Sequence, residues 1–211
     1  MALIVIGGHS RSVGKTSVVA GLISALPEMQ WTAVKITQYG HGICSANGKP
    51  CDCACADHSW AISEERDRSG ESDSSRFLVA GAARSLWVRT EQGRLADAMP
   101  ALQKRISDAH HVIVESNSIL RFVEPDLYLT VLDPATKDFK NSAKEFLGRA
   151  DAVILHGRNG AGLDSKWPNT LPDRQMNCPA FHISPPPYVT GEIVDFVREK
   201  IEQPISLNLI R

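Results

Sequence analysis

Apolar and polar positions follow two patterns that alternate along the chain, one typical of buried strands and one typical of amphipathic helices. Seven runs rich in Val, Ile and Leu are apolar on both faces, as strands inside a parallel sheet are; they span residues 3–6, 32–36, 85–90, 112–115, 127–132, 152–155 and 180–183. Helical patterns lie between them, at residues 15–26, 72–80, 93–107, 137–148 and 190–201. This alternation predicts an α/β fold of three layers, with a mostly parallel sheet of about seven strands and helices on both faces.

Two long segments interrupt the alternation. Residues 38–71 have a low apolar content and contain four cysteines, and residues 157–179 are rich in Gly, Asn, Asp and Pro. Loops of this length inside a compact domain usually serve a function. Because 211 residues suit one compact domain, we expect a single domain over residues 1–211 with a Cys-rich insertion at 38–71.

Charge and hydropathy argue against two classes of partner. The chain has 23 Lys and Arg against 24 Asp and Glu, a net charge of -1, and no long basic run that would favour nucleic acid or an anionic membrane. No stretch approaches the roughly 20 apolar residues that span a bilayer. The chain begins with a strand-like run and shows no basic segment or cleavage signal before it. We therefore expect a cytoplasmic protein that binds neither nucleic acid nor a membrane.

The strongest motif follows the first predicted strand. It reads Gly7-Gly8-His9-Ser10-Arg11-Ser12-Val13-Gly14-Lys15-Thr16 and leads into an apolar helix. A strand, a turn of small residues and a helix N-terminus aim backbone N–H groups and a positive dipole at one point, which favours phosphate.

This context predicts a P-loop, a phosphate-binding loop for GTP or ATP. We expect Lys15 to reach the β- and γ-phosphates and the Thr16 hydroxyl to ligate Mg²⁺. The other expected nucleotide contacts within the motif and just after it are Ser12, Val13, Gly14 and Ser17. The Gly-x4-Gly-Lys-Thr pattern has Gly where this chain has His9, so the loop departs from the pattern there.

A P-loop site also needs an acidic group at the end of a neighbouring strand, for Mg²⁺ or for water. Glu115 ends the run 112–115, and Asp133 follows the run 127–132. Either acid could serve, and either could instead be a helix cap or a loop charge. We favour Glu115 as the catalytic and Mg²⁺-binding residue because its strand is the more continuously apolar.

With these residues in view, the chain resembles the P-loop GTPases and ATPases of the signal-recognition, MinD and BioD class. Within that class it is most similar to the molybdopterin-guanine dinucleotide biosynthesis protein B family (MobB), over most of residues 1–160. The matching segments are Lys35 and Thr37 at the end of the second strand, Asp73-Ser74-Ser75-Arg76 followed by Ala80-Gly81-Ala82, and Val114-Glu115-Ser116.

The resemblance implies an accessory protein of molybdenum cofactor biosynthesis that binds a nucleoside triphosphate and Mg²⁺ and acts as a slow GTPase or ATPase. It implies that Lys35 and Asp73 shape the γ-phosphate region, and that a partner enzyme of cofactor maturation receives the product.

The later part of the chain is similar to the nickel-inserting GTPases of urease and hydrogenase maturation. Their guanine-reading Asn-Lys-x-Asp motif follows a strand, and the corresponding residues here are His156-Gly157-Arg158-Asn159. Asn159 offers one acceptor and one donor where an Asp would accept both guanine hydrogen bonds, so the sequence leaves the choice of GTP or ATP open. Ser184 resembles the serine near the base in these GTPases.

The insertion carries a cluster of possible metal ligands. Within eighteen residues lie His41, Cys44, Cys51, Cys53, Cys55 and His58. Thiolates with nearby imidazole suit Zn²⁺, and an iron–sulfur cluster is the alternative metal site. The spacing lacks a Cys-x2-Cys knuckle, so disulfides or exposed thiols without a role are the other interpretations. We expect the four cysteines to bind metal, with the two histidines as further candidates, and the resemblance implies a homodimer with metal held between subunits.

Two other functions fit the same motifs. One is a small-molecule kinase or ligase of the dethiobiotin-synthetase-like class, in which the long loops hold an acceptor. The other is a non-catalytic metal-binding switch that uses the nucleotide only to change its structure.

Overall fold

The computed structural model describes residues 1–39, 59–157 and 178–202. Its strands are β1 (Leu3–Gly8), β2 (Trp31–Tyr39), β3 (Trp60–Glu64), β4 (Arg84–Glu91), β5 (His111–Glu115), β6 (Leu127–Leu132), β7 (Ala152–His156) and β8 (Ala180–Ile183). Its α-helices are α1 (Lys15–Ala25), α2 (Asp73–Val79), α3 (Leu95–Ile106), α4 (Asn141–Phe146) and α5 (Gly191–Glu202). Short 3₁₀ turns span Pro27–Met29, Ser118–Arg121 and Leu147–Arg149.

The strands form one sheet in the order β3-β4-β2-β5-β1-β6-β7-β8. All neighbouring pairs are parallel except β3 and β4, which are antiparallel. β1 lies near the middle, paired with β5 on one side and β6 on the other. The loop that follows β1 therefore emerges between two strands at the carboxyl edge of the sheet, where ligand sites gather in open α/β folds.

Alternate residues of the central strand face two separate cores. Ile4 and Ile6 belong to a buried cluster that includes Leu22 of α1, whereas Val5 belongs to another that includes Leu102 of α3. Residues of α2 and α5 join the first cluster, and residues of α4 join the second. The predicted α/β fold, a mostly parallel sheet with helices on both faces, is therefore confirmed.

The structure differs from the predicted elements in two places. The sheet has an eighth strand, β3, inside the predicted insertion 38–71; as a half-buried edge strand of five residues it lacks the continuous apolar run of the others. The predicted helix 137–148 is reduced to Asn141–Phe146, because the residues before it bond to the loop after β1, with the Lys140 amide donating to the His9 carbonyl at 2.8 Å. None of the helices in the described ranges has the length and apolar character needed to cross a membrane.

Candidate functional site

The loop between β1 and α1 turns on Gly14, the last residue before the helix. Gly14 has φ 90° and ψ 10°, a left-handed conformation that favours glycine. A Cβ here would also lie 2.4 Å from Cε1 of Tyr188, so the ring of Tyr188 packs against the loop at a point where only glycine leaves room. From Lys15 onward the chain is helical, and the unpaired N–H groups of the first turn lie at the loop.

The side chain of Asn117 forms hydrogen bonds with the start of this loop. Its Oδ1 accepts a hydrogen bond from the Gly8 amide at 2.9 Å, and its Nδ2 donates to the Gly8 carbonyl at 2.8 Å. A Cβ on Gly7 would lie 2.1 Å from the same Oδ1, which explains the first glycine of the pair. Sequence reasoning did not single out Asn117; the available signal was its position just after β5, whose end lies beside β1.

His9, the departure from the glycine pattern, is a packed residue. It is fully buried, its Nε2 lies 3.2 Å from the Thr136 carbonyl oxygen, and its ring centroid lies 5.2 Å from that of Phe139. Burial lowers the pKa of His9 despite the opposing effect of its backbone hydrogen bonds, which favours the neutral ring. The loop therefore accommodates a large side chain by placing it beneath residues 133–140.

Lys15, the lysine of the motif, is half-buried. Its Nζ donates to the Ser10 carbonyl at 2.5 Å. Burial lowers the pKa of Lys15 from 10.5 to about 8, the charges of Lys140 and Lys35 lower it further, and Glu115 opposes the change. The loop thus holds a cation whose charge its surroundings only partly compensate, which favours an anionic ligand.

A cluster of charged and hydroxyl groups lies next to Lys15. Thr16 Oγ1 donates to Glu115 Oε2 at 2.8 Å, and Lys35 Nζ contacts Glu115 Oε1 at 2.5 Å and Asp73 Oδ2 at 2.7 Å. The Glu115 side chain is 3% exposed and that of Asp73 is 44% exposed. Burial raises the pKa of Asp73, but the hydrogen bond and charge of Lys35 outweigh this and hold the pKa below its ordinary value. Both carboxylates are thus in a position to act as anionic oxygen ligands.

The two candidate acids have different surroundings. Glu115 contacts Thr16, as described. Asp133 instead uses its carboxylate within its own turn, where Oδ1 accepts from the Ala135 amide at 2.9 Å and Oδ2 accepts from Thr136 Oγ1 at 3.0 Å. This contact pattern favours Glu115 as the acid of the site.

Other predicted site residues lie at the same edge or outside the described ranges. Ser17 Oγ accepts from Arg76 Nη2 at 3.0 Å, Ser12 and Val13 precede Gly14 in the loop, and Ser184 is exposed just after β8. Residues outside the described part of the chain are Asn159, His41, Cys44, Cys51, Cys53, Cys55 and His58. Among residues 1–39, 59–157 and 178–202, no group of three or more His, Cys, Asp or Glu is placed to hold a metal ion.

A small polar cavity adjoins the cluster on the side of β4. It has a volume of about 90 Å³ and is lined by Lys35, Thr37, Ser72, Asp73, Ser74 and Trp87. Trp87 Nε1 donates to Thr37 Oγ1 at 3.1 Å, and Ser74 Oγ donates to Glu65 Oε2 at 2.7 Å. The lining therefore includes hydroxyl groups, an indole and the Asp73 carboxylate.

Comparisons with known proteins find similar solved structures at low sequence identity. No protein-family model matches the chain, and no curated protein matches it. Among the similar solved structures are HypB from Helicobacter pylori in complex with nickel (14% identity, TM-score 0.48) and LpxK from Aquifex aeolicus in complex with ATP (16%, 0.45). Another is the signal recognition particle receptor FtsY from Elizabethkingia anophelis in complex with GDP (15%, 0.38).

These matches cover 94%, 86% and 85% of this chain and 87%, 53% and 55% of the other three, so the chain spans about half the length of LpxK and FtsY. The TM-scores of these three structures are below 0.5, so their similarity does not show what this chain does.

Proposed function

We propose that the chain binds a nucleoside triphosphate with Mg²⁺ at residues 7–16 and hydrolyses it slowly, as an accessory protein of metal-cofactor biosynthesis. The observation that carries the proposal is the cluster of Thr16, Lys35, Asp73 and Glu115 beside Lys15. Four different elements bring a hydroxyl, an ammonium and two carboxylates together at the end of a phosphate-binding loop, and these groups suit Mg²⁺ and a water nucleophile.

Each residue has a role that its contacts support. Lys15 and the first-turn N–H groups would bind the β- and γ-phosphates, and Thr16 with Glu115 would hold Mg²⁺. Lys35 would neutralise Glu115 and keep Asp73 anionic next to the γ-phosphate, where Asp73 orients water. Asn159 and Ser184 stay as proposed base contacts.

Calorimetric titration with Mg·ATP and Mg·GTP tests the nucleotide site. Lys15→Ala should lose most of the affinity, since a charge-assisted contact is worth roughly 1.5–3 kcal/mol. Lys104→Ala, at an exposed position of α3, is the matched control and should bind like the wild type. If Lys15→Ala and the wild type titrate alike with both nucleotides, the proposed site is wrong.

The metal-cofactor part of the proposal rests on the cysteines between β2 and β3. Residues 40–58 leave β2 beyond Lys35 and return to β3, which leads through Glu65 to Ser74 and α2, so both ends connect to residues at the nucleotide site. We propose that Cys44, Cys51, Cys53 and Cys55, with His41 or His58, bind Zn²⁺ or an iron–sulfur cluster, that a homodimer shares this metal, and that a partner enzyme receives the cofactor.

Elemental analysis of untagged protein, purified under reducing conditions and reconstituted with Zn²⁺, tests the metal site. Structural zinc sites bind tightly, so less than about a tenth of an equivalent would refute it. The triple change of Cys51, Cys53 and Cys55 to Ser should remove the metal and leave the sheet folded, because residues of the described strands and helices supply the two large core clusters. We also propose that metal binding is coupled to nucleotide binding, because both ends of the insertion connect to residues at the nucleotide site. A metal affinity that is the same with and without ATP or GTP would support the metal site and contradict the coupling.

A second candidate function is phosphoryl transfer to a small molecule, which the cavity of about 90 Å³ beside Asp73 favours. Asp73 would then accept the proton of an acceptor hydroxyl or amine instead of orienting water. Incubation with Mg·ATP and small hydroxylated or amino acceptors, followed by mass spectrometry, separates the two functions. A phosphorylated product supports a kinase, and release of inorganic phosphate alone supports the NTPase.

A further inference from the structure

Residues 133–140, which connect β6 to α4, are bonded to the phosphate-binding loop at several points. Ser10 Oγ donates to Asp138 Oδ2 at 2.6 Å, and the Lys140 amide donates to the His9 carbonyl at 2.8 Å. The buried ring of His9 contacts the Thr136 carbonyl and the Phe139 ring. The segment therefore has a position fixed by the loop itself, and the histidine that replaces the pattern glycine supplies much of the attachment.

The ammonium group of Lys140 interacts electrostatically with charged residues of the same site. Burial lowers the pKa of Lys140 below its ordinary value, and the charges of Arg11 and Lys35 lower it further, while Asp138 and Glu115 act in the opposite direction. Lys140 in turn lowers the pKa of Lys15. Within residues 1–39, 59–157 and 178–202, no carboxylate forms an ion pair with the Lys140 ammonium.

Within the described residues, no carboxylate forms an ion pair with Lys15 or with Lys140. Glu115 and Asp73 both contact Lys35, and Asp138 accepts from Ser10, which leaves Lys15 and Lys140 as half-buried cations near the loop. Half-buried ammonium groups are costly without an anion, and the two here would be satisfied by a ligand that carries several negative charges.

We propose that Lys140 binds the polyphosphate of the nucleotide together with Lys15, and that His9 and Ser10 position it for this contact. The inference rests on the proposed nucleotide site and adds a phosphate-binding residue that is more than a hundred positions from the motif. It also gives the departure at His9 a function, since a glycine there would provide no side chain to anchor the segment.

Calorimetric titration of Lys140→Gln with non-hydrolysable ATP and GTP analogues and Mg²⁺ tests the contact. We expect affinity to fall about 10- to 100-fold, as for the loss of a charge-assisted hydrogen bond. Lys137→Gln, at an exposed position of the same segment, is the matched control and should bind like the wild type. Lys140→Arg should restore most of the affinity because it keeps the charge.

Amine labelling of the wild-type protein gives a second readout that needs no variant. Mass spectrometry should show that Mg²⁺ and the analogue protect Lys140 from an amine-reactive reagent and leave Lys137 labelled. If the wild type binds nucleotide and Lys15→Ala does not, yet Lys140→Gln matches Lys137→Gln or Lys140 is not protected, the Lys140 contact is overturned and the nucleotide site stands. If the wild type binds neither analogue, both proposals fail together.

Discussion

Replacing Lys15 by Met should stabilise the empty protein while it removes nucleotide binding. Lys15 has a pKa of about 8 in the folded protein against an ordinary value of 10.5, chiefly because the charged form is buried. A difference of this size corresponds to about 3 kcal/mol at neutral pH, which is an upper limit because solvent reaches part of the side chain. Met fills a similar volume without a charge, so we expect a net gain of about 1–2 kcal/mol after the hydrogen bond to Ser10 is lost.

The pH dependence of this gain has a definite sign. Between pH 8 and 10.5 the unfolded chain binds more protons at Lys15 than the folded chain does, so the wild type becomes more stable as pH rises through this window. The advantage of Lys15→Met should therefore be largest at pH 7 and should shrink towards pH 10.

Urea denaturation at pH 7 and pH 9.5 measures both effects. Lys104→Met, at an exposed position of α3, is the control and should show no advantage at either pH. Mg·ATP or Mg·GTP at about 100 times the dissociation constant should stabilise the wild type by about 2.7 kcal/mol and leave Lys15→Met unchanged. A variant that is less stable than the wild type at pH 7, or an advantage that does not change with pH, would show that Lys15 is not held as a costly buried cation.

Three further predictions concern the surroundings of the loop. Asn117→Ala should lower the free energy of unfolding by about 1–3 kcal/mol and weaken nucleotide binding, because the two hydrogen bonds to Gly8 are lost; chemical denaturation and calorimetry measure this. Glu115→Gln should slow the release of inorganic phosphate about 100-fold. If the variant and the wild type release phosphate at the same rate, Glu115 is not the acid of the site. Asn159→Asp should raise the preference for GTP in competition titrations, and a strong GTP preference already present in the wild type would contradict the assignment.

The fold was the more predictable part of this protein. Continuous apolar runs mark strands that are buried on both faces, which is why β1, β5 and β6 could be located from the sequence. β3 was missed because an edge strand needs only one partner and one covered face, so Trp60–Glu64 shows no such run. Helix α4 was predicted too long because residues 137–140 precede the helix instead of joining it. Phe139 and Lys140 contact His9, and a contact between residues so far apart in the sequence leaves no local pattern.

The candidate residues of the site had three kinds of signal in the sequence: a local motif, a position at the end of a strand for Glu115, and a family resemblance for Lys35 and Asp73. Gly14, Lys15 and Thr16 follow one strand, so their spacing alone indicated a phosphate-binding loop. Lys140 comes from a distant segment, and its place depends on sheet order and on side-chain packing that composition does not encode. The roles of all these residues in nucleotide binding stay predictions, as do those of the cysteines, which lie outside the described residues.

The connection between β2 and β3, which carries four cysteines, is much longer than the distance between its two ends requires. Tyr39 at the end of β2 pairs with Glu91, and Trp60 at the start of β3 pairs with Thr90, so the connection leaves and rejoins the sheet on either side of a single strand. Two strand spacings amount to about 10 Å, a distance that about four extended residues can cross. The connection uses about twenty. Because the entropic cost of a longer loop grows slowly, its length could vary widely between relatives without shifting the register of the sheet. We therefore expect a short Gly-Ser replacement for residues 41–58 to leave the sheet and the residues of the proposed nucleotide site in place.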